Sequence, residues 1–535
     1  MDSVQTPLYA RTTFFLAFRW RASKGIDGVL AACEADGWKS ETLHPFQLFS
    51  QQNYLHDYAR GAVFQTTTTS AVYNFQKRLF EPFSIEIRNE AIAKTPPEGN
   101  TTLNTTATFA TLDIYESGIG LFSISFDFPD KTITSDELLA FNDLGRRLYP
   151  QTLNAKGVEG ARGNGLIPVL AGFNNIADSM EDFGAYHIDP SKSRLPTAFL
   201  PRYLHYTFGA RFKTSTQEIS KEDVQIENVF DDRMFVLSCV NDTKISNEIA
   251  KTGENGAPSY LNHDFWYKLV YVDGGKIQIE NRKMQEELVA ASTYARWSED
   301  GTIYGASRYS FVALIKNGWS FGVMIGNYAK LVKLCLVQRA AVVRFREDAT
   351  AIAAQIADSK PNFGDLTQKI RKINGDFIVF SNRLNFREAT SYEQGIDLYD
   401  LIRKQMRVQE QVESLKEELS ELYNYAHQIH ESSRSAALEW LTILGAVFLV
   451  PSFLFSYYGF FDSWKKNWEQ CHLWLFWTMA GATTVTLLIF YSRWLQHGGI
   501  RAVLAKTILL ITLIAALALP FFMEWYPAWF CIVKQ

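Results

Sequence analysis

Residues 392–456, YEQGIDLYDLIRKQMRVQEQVESLKEELSELYNYAHQIHESSRSAALEWLTILGAVFLVPSFLFS, read as one helix that leaves water and enters lipid. Leu401, Val408, Val412, Leu415, Leu419, Leu422, Ala426 and Ile429 recur at steps of seven, four and three, the spacing of a coiled-coil seam. Only Gln405 and Ser433 are polar in that phase, and an apolar run begins at Ala436. Ser391 and Gln394 have capping-box spacing, which predicts the helix start. About 65 residues at ~1.5 Å each give a rod of roughly 100 Å. Such a rod couples a soluble domain mechanically to a membrane. The seam has two possible partners: other copies of the chain, or the helical stretch Tyr328–Ser359 of the same chain.

Working outward, the remaining C-terminal sequence supplies further apolar segments. Segment one spans about 436–461, segment two 473–491 and segment three 502–523. Each is long enough for a ~30 Å hydrocarbon layer, the second only just. Lys506 and Pro520 trim the third, which also fits a re-entrant or surface helix. Arg493, Arg501 and Lys506 lie between the second and third segments with no acid. The positive-inside rule therefore predicts a cytoplasmic N-terminal domain in the inner (cell) membrane, with the loop Asp462–Glu469 and the C-terminus outside. Trp464, Trp468, Trp474, Trp477, Trp494, Trp525 and Trp529 stand at segment ends, as interfacial belts require. On segment one, Thr442, Gly445, Leu449, Ser452, Ser456 and Gly459 share a helical stripe. Small and hydroxyl side chains on one face suit close helix packing or a pore lining. Pro451 predicts a kink there.

A net charge of −4 over 535 residues does not suit a nucleic-acid-coating protein, and no direct nucleic-acid binding is expected. The five cysteines are scattered without CxxC or CxxH spacing, so neither a zinc site nor a redox motif is expected. No signal-peptide-length apolar region opens the chain. The expected organisation is a cytoplasmic α+β ligand-sensing domain over 1–325, a helical region with the stalk over 326–435, and an α-helical transmembrane bundle over 436–535.

Within the first domain, residues 11–20 read as a strand and Ile26 to Ala35 as a helix ending near Gly37. Phe109–Tyr115 and Leu121–Phe128 form a hairpin pattern around Glu116-Ser117-Gly118. Thr134 and Glu137 are spaced as a capping box for a helix ending at Pro150. Arg233–Val240, Trp266–Val272 and Tyr304–Ile315 read as strands, and 95–106 as an exposed loop. Tyr328–Ser359 and Leu366–Leu384 read as helices before the stalk.

Segment one, LTILGAVFLVPSFLFSYYGFF (441–461), resembles the first span of the CorA family of divalent-cation channels, with Tyr458-Gly459 at its end. A cytoplasmic domain, a stalk continuing into that span, a short charged loop and a second span fit the same family over roughly 330–492. The family continues Gly-Met-Asn, whereas Phe460 and Phe461 stand here. That asparagine belongs to the family's cation-selecting mouth, so Mg²⁺ selectivity is not carried over. The third segment is a second departure. The combination with a distinct N-terminal domain resembles the CorA-like membrane effectors of type III CRISPR systems. That resemblance implies a nucleotide messenger (S-adenosylmethionine joined to AMP) as ligand, a homo-oligomer, pentameric by family, and action on the membrane in antiviral defence.

Four groups of residues could carry chemistry. Arg146-Arg147, at a helix end, could grip phosphate bidentately or simply complement the helix dipole. Arg162, Gly163 and Gly165, in a stretch with Gly157 and Gly160, could wrap phosphate oxygens or form a connector; neither Walker A nor GxGxxG is present. His427, His430 and Glu431 could meet a divalent cation at helical spacing or form a solvated collar. Asp462 and Glu469, with Tyr458 at the mouth, could concentrate cations, although Lys465 and Lys466 offset the field. No catalytic signature rises from the sequence, so an enzyme is not expected. The expected function is a channel or effector gated by a nucleotide. Its alternatives are a constitutive divalent-cation transporter and a membrane-anchored scaffold or enzyme.

Overall fold

The computed structural model describes residues 8–459 apart from 42–44, 66–69, 89–99, 149–168, 172–179, 183–201, 215–216, 253–255, 275–278, 357–362 and single positions at 231 and 317. Segments two and three, and the end of segment one, lie outside the described residues.

Along the chain, β1 (Leu8–Ala22), α1 (Gly25–Ala35), β2 (Lys39–Ser40), α2 (Pro45–Tyr54) and α3 (Asp57–Arg60) precede three long strands, β3 (Val72–Arg88), β4 (Asn100–Tyr115) and β5 (Ile119–Ile133). Next come α4 (Ser135–Gly145), β6 (Val169–Ala171), β7 (Met180–Asp182), α5 (Arg202–Phe208), β8 (Phe212–Lys213), β9 (Val224–Asn228) and β10 (Phe235–Asn241). The mixed region closes with α6 (Thr243–Ile249), α7 (Asp264–Tyr271), α8 (Arg282–Ser292), β11 (Thr293–Trp297), β12 (Thr302–Ser307) and β13 (Ser310–Ile315). Helices follow: α9 (Gly318–Val323), a π-helical turn (Met324–Tyr328), α10 (Ala329–Ile356), α11 (Phe363–Arg383), α12 (Glu393–Met406) and α13 (Val408–Gly459).

The strands make one large, mainly antiparallel sheet in the order β11-β12-β13-β10-β1-β5-β4-β3-β6-β7, with β2, β8 and β9 paired off this path. Among the described residues, only β10–β13 and β8–β9 run parallel. This is a mixed α+β domain followed by a helical region. Side-chain alternation along β1 explains its two faces. Phe14, Leu16 and Phe18 enter an apolar core with Phe122 and Phe126 of β5, Phe141 of α4 and Phe208 of α5. The intervening residues face α10: Thr13 bonds Ser125, and Arg19 pairs with Asp348 of α10 at 2.6 Å. Gly120 sits opposite Phe18, and a Cβ there would lie 2.1 Å from the Phe18 ring, so the ring packs on bare backbone.

Helix α10 with the turns before it, Ser320–Ile356, is apolar and long enough to cross a bilayer, yet most of it is buried within the protein. Leu331, Val332, Leu334, Leu336 and Val337 are fully buried, each burial stabilising by about 1.5–3 kcal/mol. Its polar residues have partners in the same unit. Lys333 meets Asp113, Gln338 donates to the Leu384 carbonyl, and Arg339 donates to the Arg308 carbonyl. This helix is core, and its apolarity reflects burial on several sides.

Several sequence expectations are corrected. Residues 100–106 extend β4 instead of forming a loop; Thr-rich sequence suits a pleated surface, and Leu103 and Thr105 are buried. The stretch Trp266–Val272 is not a strand but the body and left-handed C-cap of helix α7: Trp266, Leu269 and Val270 fall on one buried helical face. Helix α4 ends at Gly145, before Pro150, with Arg146 at its C-cap. The capping box of Thr134 and Glu137 is present. Ser391 and Gln394 do not cap α12; Tyr392 occupies the N-cap without a side-chain bond. The rod expected from Tyr392 is two helices, because Arg407 takes a left-handed conformation (φ 54°) between α12 and α13. α13 is then one helix of 52 residues, continuing through Pro451.

Contacts divide the chain into residues 1–423 and residues 424–535. In the first unit the seam residues Val408, Val412, Leu415 and Leu419 are buried within the single chain. Arg346 of α10 reaches Ser414 and Glu418 of α13 at 3.3 and 3.5 Å. That is the intrachain use of the seam.

Candidate functional site

The capping box of Thr134 and Glu137 starts α4, and the helix ends at Gly145 with Arg146 at its C-cap and Arg147 next. Both guanidiniums reach the same carboxylate. Arg146 Nη2 lies 3.1 Å and Arg147 Nη2 3.3 Å from Asp143 Oδ1. Arg146 also donates to the Val272 carbonyl at 3.1 Å, tying α4 to the left-handed end of α7. Its side chain is only 6 % exposed, and its Nε is buried with no hydrogen-bond partner. Burial draws this guanidinium below its usual value; Asp143 opposes that, and nearby Arg233 and Arg147 add to it.

Backbone pairing between Arg147 and Arg233 brings a third guanidinium to the corner. Arg233 pairs with Asp232 at 3.0 Å and lies over the Tyr309 ring. The Leu148 amide donates to the Asp232 carbonyl and the Met234 amide to the Arg146 carbonyl. Three cations thus surround two carboxylates on a rigid backbone frame. Arg146 acts here as a strut between two helices, whereas the side chains of Arg147 and Arg233 are 19 % and 25 % exposed. The sequence did not suggest Arg233, which is far along the chain and reaches the corner only through strand pairing. Arg162, Gly163 and Gly165 lie outside the described residues.

In the second unit, His427 Nδ1 and Glu431 Oε1 are 3.6 Å apart, with side chains 57 % and 68 % exposed. The side chain of His430 lies outside the described ones. Among the described residues no three His, Cys, Asp or Glu side chains gather as a metal site. An exposed pair at one-turn spacing matches a solvated helix face. Thr442, Gly445, Leu449, Ser452, Ser456, Tyr458 and Gly459 all belong to α13. Thr442 bonds back to the Leu438 carbonyl at 2.7 Å, and nothing lies within 4 Å of a Cβ built on Gly445. Leu438 and Leu441 are 63 % and 70 % exposed. Asp462 and Glu469 lie outside the described residues.

The sequence reading also missed the buried charges of α10. Lys330 and Lys333 sit three apart in AKLVKLCLV, a run that otherwise reads as uniform apolar helix. That interruption was the available signal. They join Asp113 of β4 and Glu41 in a closed network between α10 and the sheet. No protein-family model, no curated protein and no solved structure matches this chain.

Proposed function

We propose that the chain is a membrane protein of CorA-like design in which the first unit binds a small ligand and α13 carries the resulting change into the bilayer. The observation that supports this most is the continuity of α13. Its N-terminal turns are held in the first unit by Val412, Leu415 and Leu419, and the same backbone ladder runs through the apolar sequence from Ala436 to Gly459. A helix gripped in a folded core transmits displacement along its axis, because its hydrogen bonds resist stretching and bending. Ligand must bind one arrangement of the first unit better than another for anything to move.

In this reading the ligand is a nucleotide, the assembly is a homo-oligomer, and the output is a change in membrane permeability. The finer assignment, a messenger-gated effector of type III CRISPR defence with segment one lining a pore, belongs to the same proposal and rests on the resemblance of the sequence alone. The test is purified full-length protein in dye-loaded liposomes, with and without candidate nucleotides. Leakage that depends on a nucleotide supports the proposal. Vesicles that stay sealed under every nucleotide contradict it.

A further inference from the structure

A cleft of about 420 Å³ opens in the first unit between the β4–β5 turn and helices α10 and α11. Its volume lies in the range of small-molecule pockets. The turn residues Ser117 and Gly118 form one side, Arg344 of α10 another, and Lys372 and Phe380 of α11 the third.

Four observations converge there. Arg344 is 15 % exposed, and its ion-pair contacts are long: 3.4 Å to Asp348 and 3.6 Å to Asp376. Lys372, by contrast, is exposed and makes no hydrogen bond or ion pair among the described residues. Ser117 Oγ is buried without a hydrogen-bond partner although it borders the cleft. Gly118 has φ +79°, and a Cβ there would lie 3.4 Å from Arg344 Nη1, so bare backbone leaves that guanidinium open to the cleft. Arg383 and Glu116 pair at 2.9 Å across the rim. Arg344, Lys372 and Arg383 therefore outnumber Glu116 and Asp376, and the lining carries an excess of one positive charge. Phe380 and Leu384 supply an apolar wall.

We propose that this cleft binds a phosphorylated small molecule, with the phosphate on Arg344, Lys372 and Ser117 Oγ and the apolar portion against Phe380. A guanidinium whose protein contacts are long gains most from a phosphate that offers bidentate oxygens. Ser117 supplies a hydroxyl donor whose present burial is unfavourable until it is paired. The assignment rests on the reading of the first unit as the ligand-sensing part. It names the site: between the sheet and α11, whose C-terminus leads through α12 to α13.

The experiment is isothermal titration of full-length protein in nanodiscs with AMP, ATP and inorganic phosphate as probes. At least one nucleotide binds, and Lys372→Gln or Arg344→Gln weakens it roughly tenfold or more, the expected loss of a charge-assisted bond. Arg282→Gln, an exposed control on α8, leaves affinity unchanged. Lys372 is exposed, so its variant reports on binding without loss of fold. Absence of binding by all three probes, or equal affinity in Lys372→Gln, overturns the assignment. Binding that meets these expectations while vesicles stay sealed overturns the membrane reading and leaves the cleft assigned. Nucleotide-dependent leakage that Lys372→Gln does not alter overturns the cleft and leaves the membrane reading.

Discussion

Lys333 Nζ lies 2.7 Å from Asp113 Oδ2, with side chains 9 % and 1 % exposed, and this buried pair fixes α10 to the sheet. Asp113 also accepts from Asn74 Nδ2 at 2.7 Å, and Lys333 donates to Thr111 at 3.1 Å. Burial alone lowers the Lys333 ammonium, and Asp113 with Glu41 more than reverses it. Lys330, 3.6 Å from Glu41 and over the Phe64 ring, ends below its usual value because burial dominates and Lys333 stands beside it.

Breaking one half of the buried pair is therefore expected to be worse than removing both. Asp113→Ala should destabilise by about 3–5 kcal/mol, because an unpaired ammonium is left in the interior. Asp113→Leu with Lys333→Met should recover most of that loss. Denaturant unfolding of the three proteins measures it; a double variant as unstable as the single one would contradict the account.

Tyr54 of α2 stacks on Tyr392 with ring centroids 4.9 Å apart, and its hydroxyl is buried without a partner. Tyr54→Phe should be neutral or slightly stabilising, since an unsatisfied polar group is removed. Gly395→Ala should destabilise by about 1–3 kcal/mol through overpacking. A Cβ at Gly395 would lie 2.3 Å from that hydroxyl and 3.0 Å from the ring carbon bearing it. Tyr54→Phe should rescue part of the Gly395→Ala loss. Thermal unfolding of the single and double variants gives the coupling; additive effects would place the clash elsewhere.

The hinge between α12 and α13 gives a backbone prediction. Arg407 holds φ 54° and ψ 36°, a left-handed conformation that favours glycine, and its amide bonds the Arg403 and Lys404 carbonyls. Arg407→Gly should stabilise by up to ~1 kcal/mol by relieving the αL penalty, offset in part by unfolded-state entropy. Arg407→Ala should not stabilise. Chemical denaturation separates the two, and equal stability of both variants would show that the hinge carries no strain.

His205 supplies a pH dependence. Burial, with Lys213 nearby, holds its folded-state value below 6.5, while Asp36 pulls weakly the other way. Below about pH 6.5 the unfolded chain takes up this proton more readily than the folded one. Stability should therefore fall as pH drops through 6.5 and level off below the depressed value. Thermal unfolding at pH 7.5 and 5.5 should show a smaller acid-side loss for His205→Gln than for the unsubstituted protein. An identical loss in both would assign the effect to other groups.

What was legible in the sequence was what local pattern controls. The Thr134–Glu137 box starts α4 because both reciprocal bonds lie within four residues. The alternation from Phe122 to Phe128 gave a strand because one sheet face is uniformly apolar. Trp266–Val272 misled because a run of seven mostly apolar residues fits either period, and burial against β12 and β13 decides for helix. Of the heptad seam, Val408, Val412, Leu415 and Leu419 are buried while Leu401 and Leu422 are half-buried, and of the two partners the sequence left open it is the stretch of α10 that Arg346 brings against α13. No propensity flagged the break at Arg407; an arginine there reads as good helix, and the turn is set by packing of Met406 and Val408 on either side. The candidate site was legible only as Arg146-Arg147. Arg233, Ser117 and Lys372 come from distant elements, and only the folded chain brings them to their corners.

The central claim is that α13 is an unbroken carrier between the first unit and the apolar segment. Amide hydrogen exchange of the full-length protein in nanodiscs tests it most directly over Val408–Leu441. The account predicts continuous slow exchange across that stretch, with no gap at Asn424. A run of rapidly exchanging amides between Asn424 and Leu441 would contradict it.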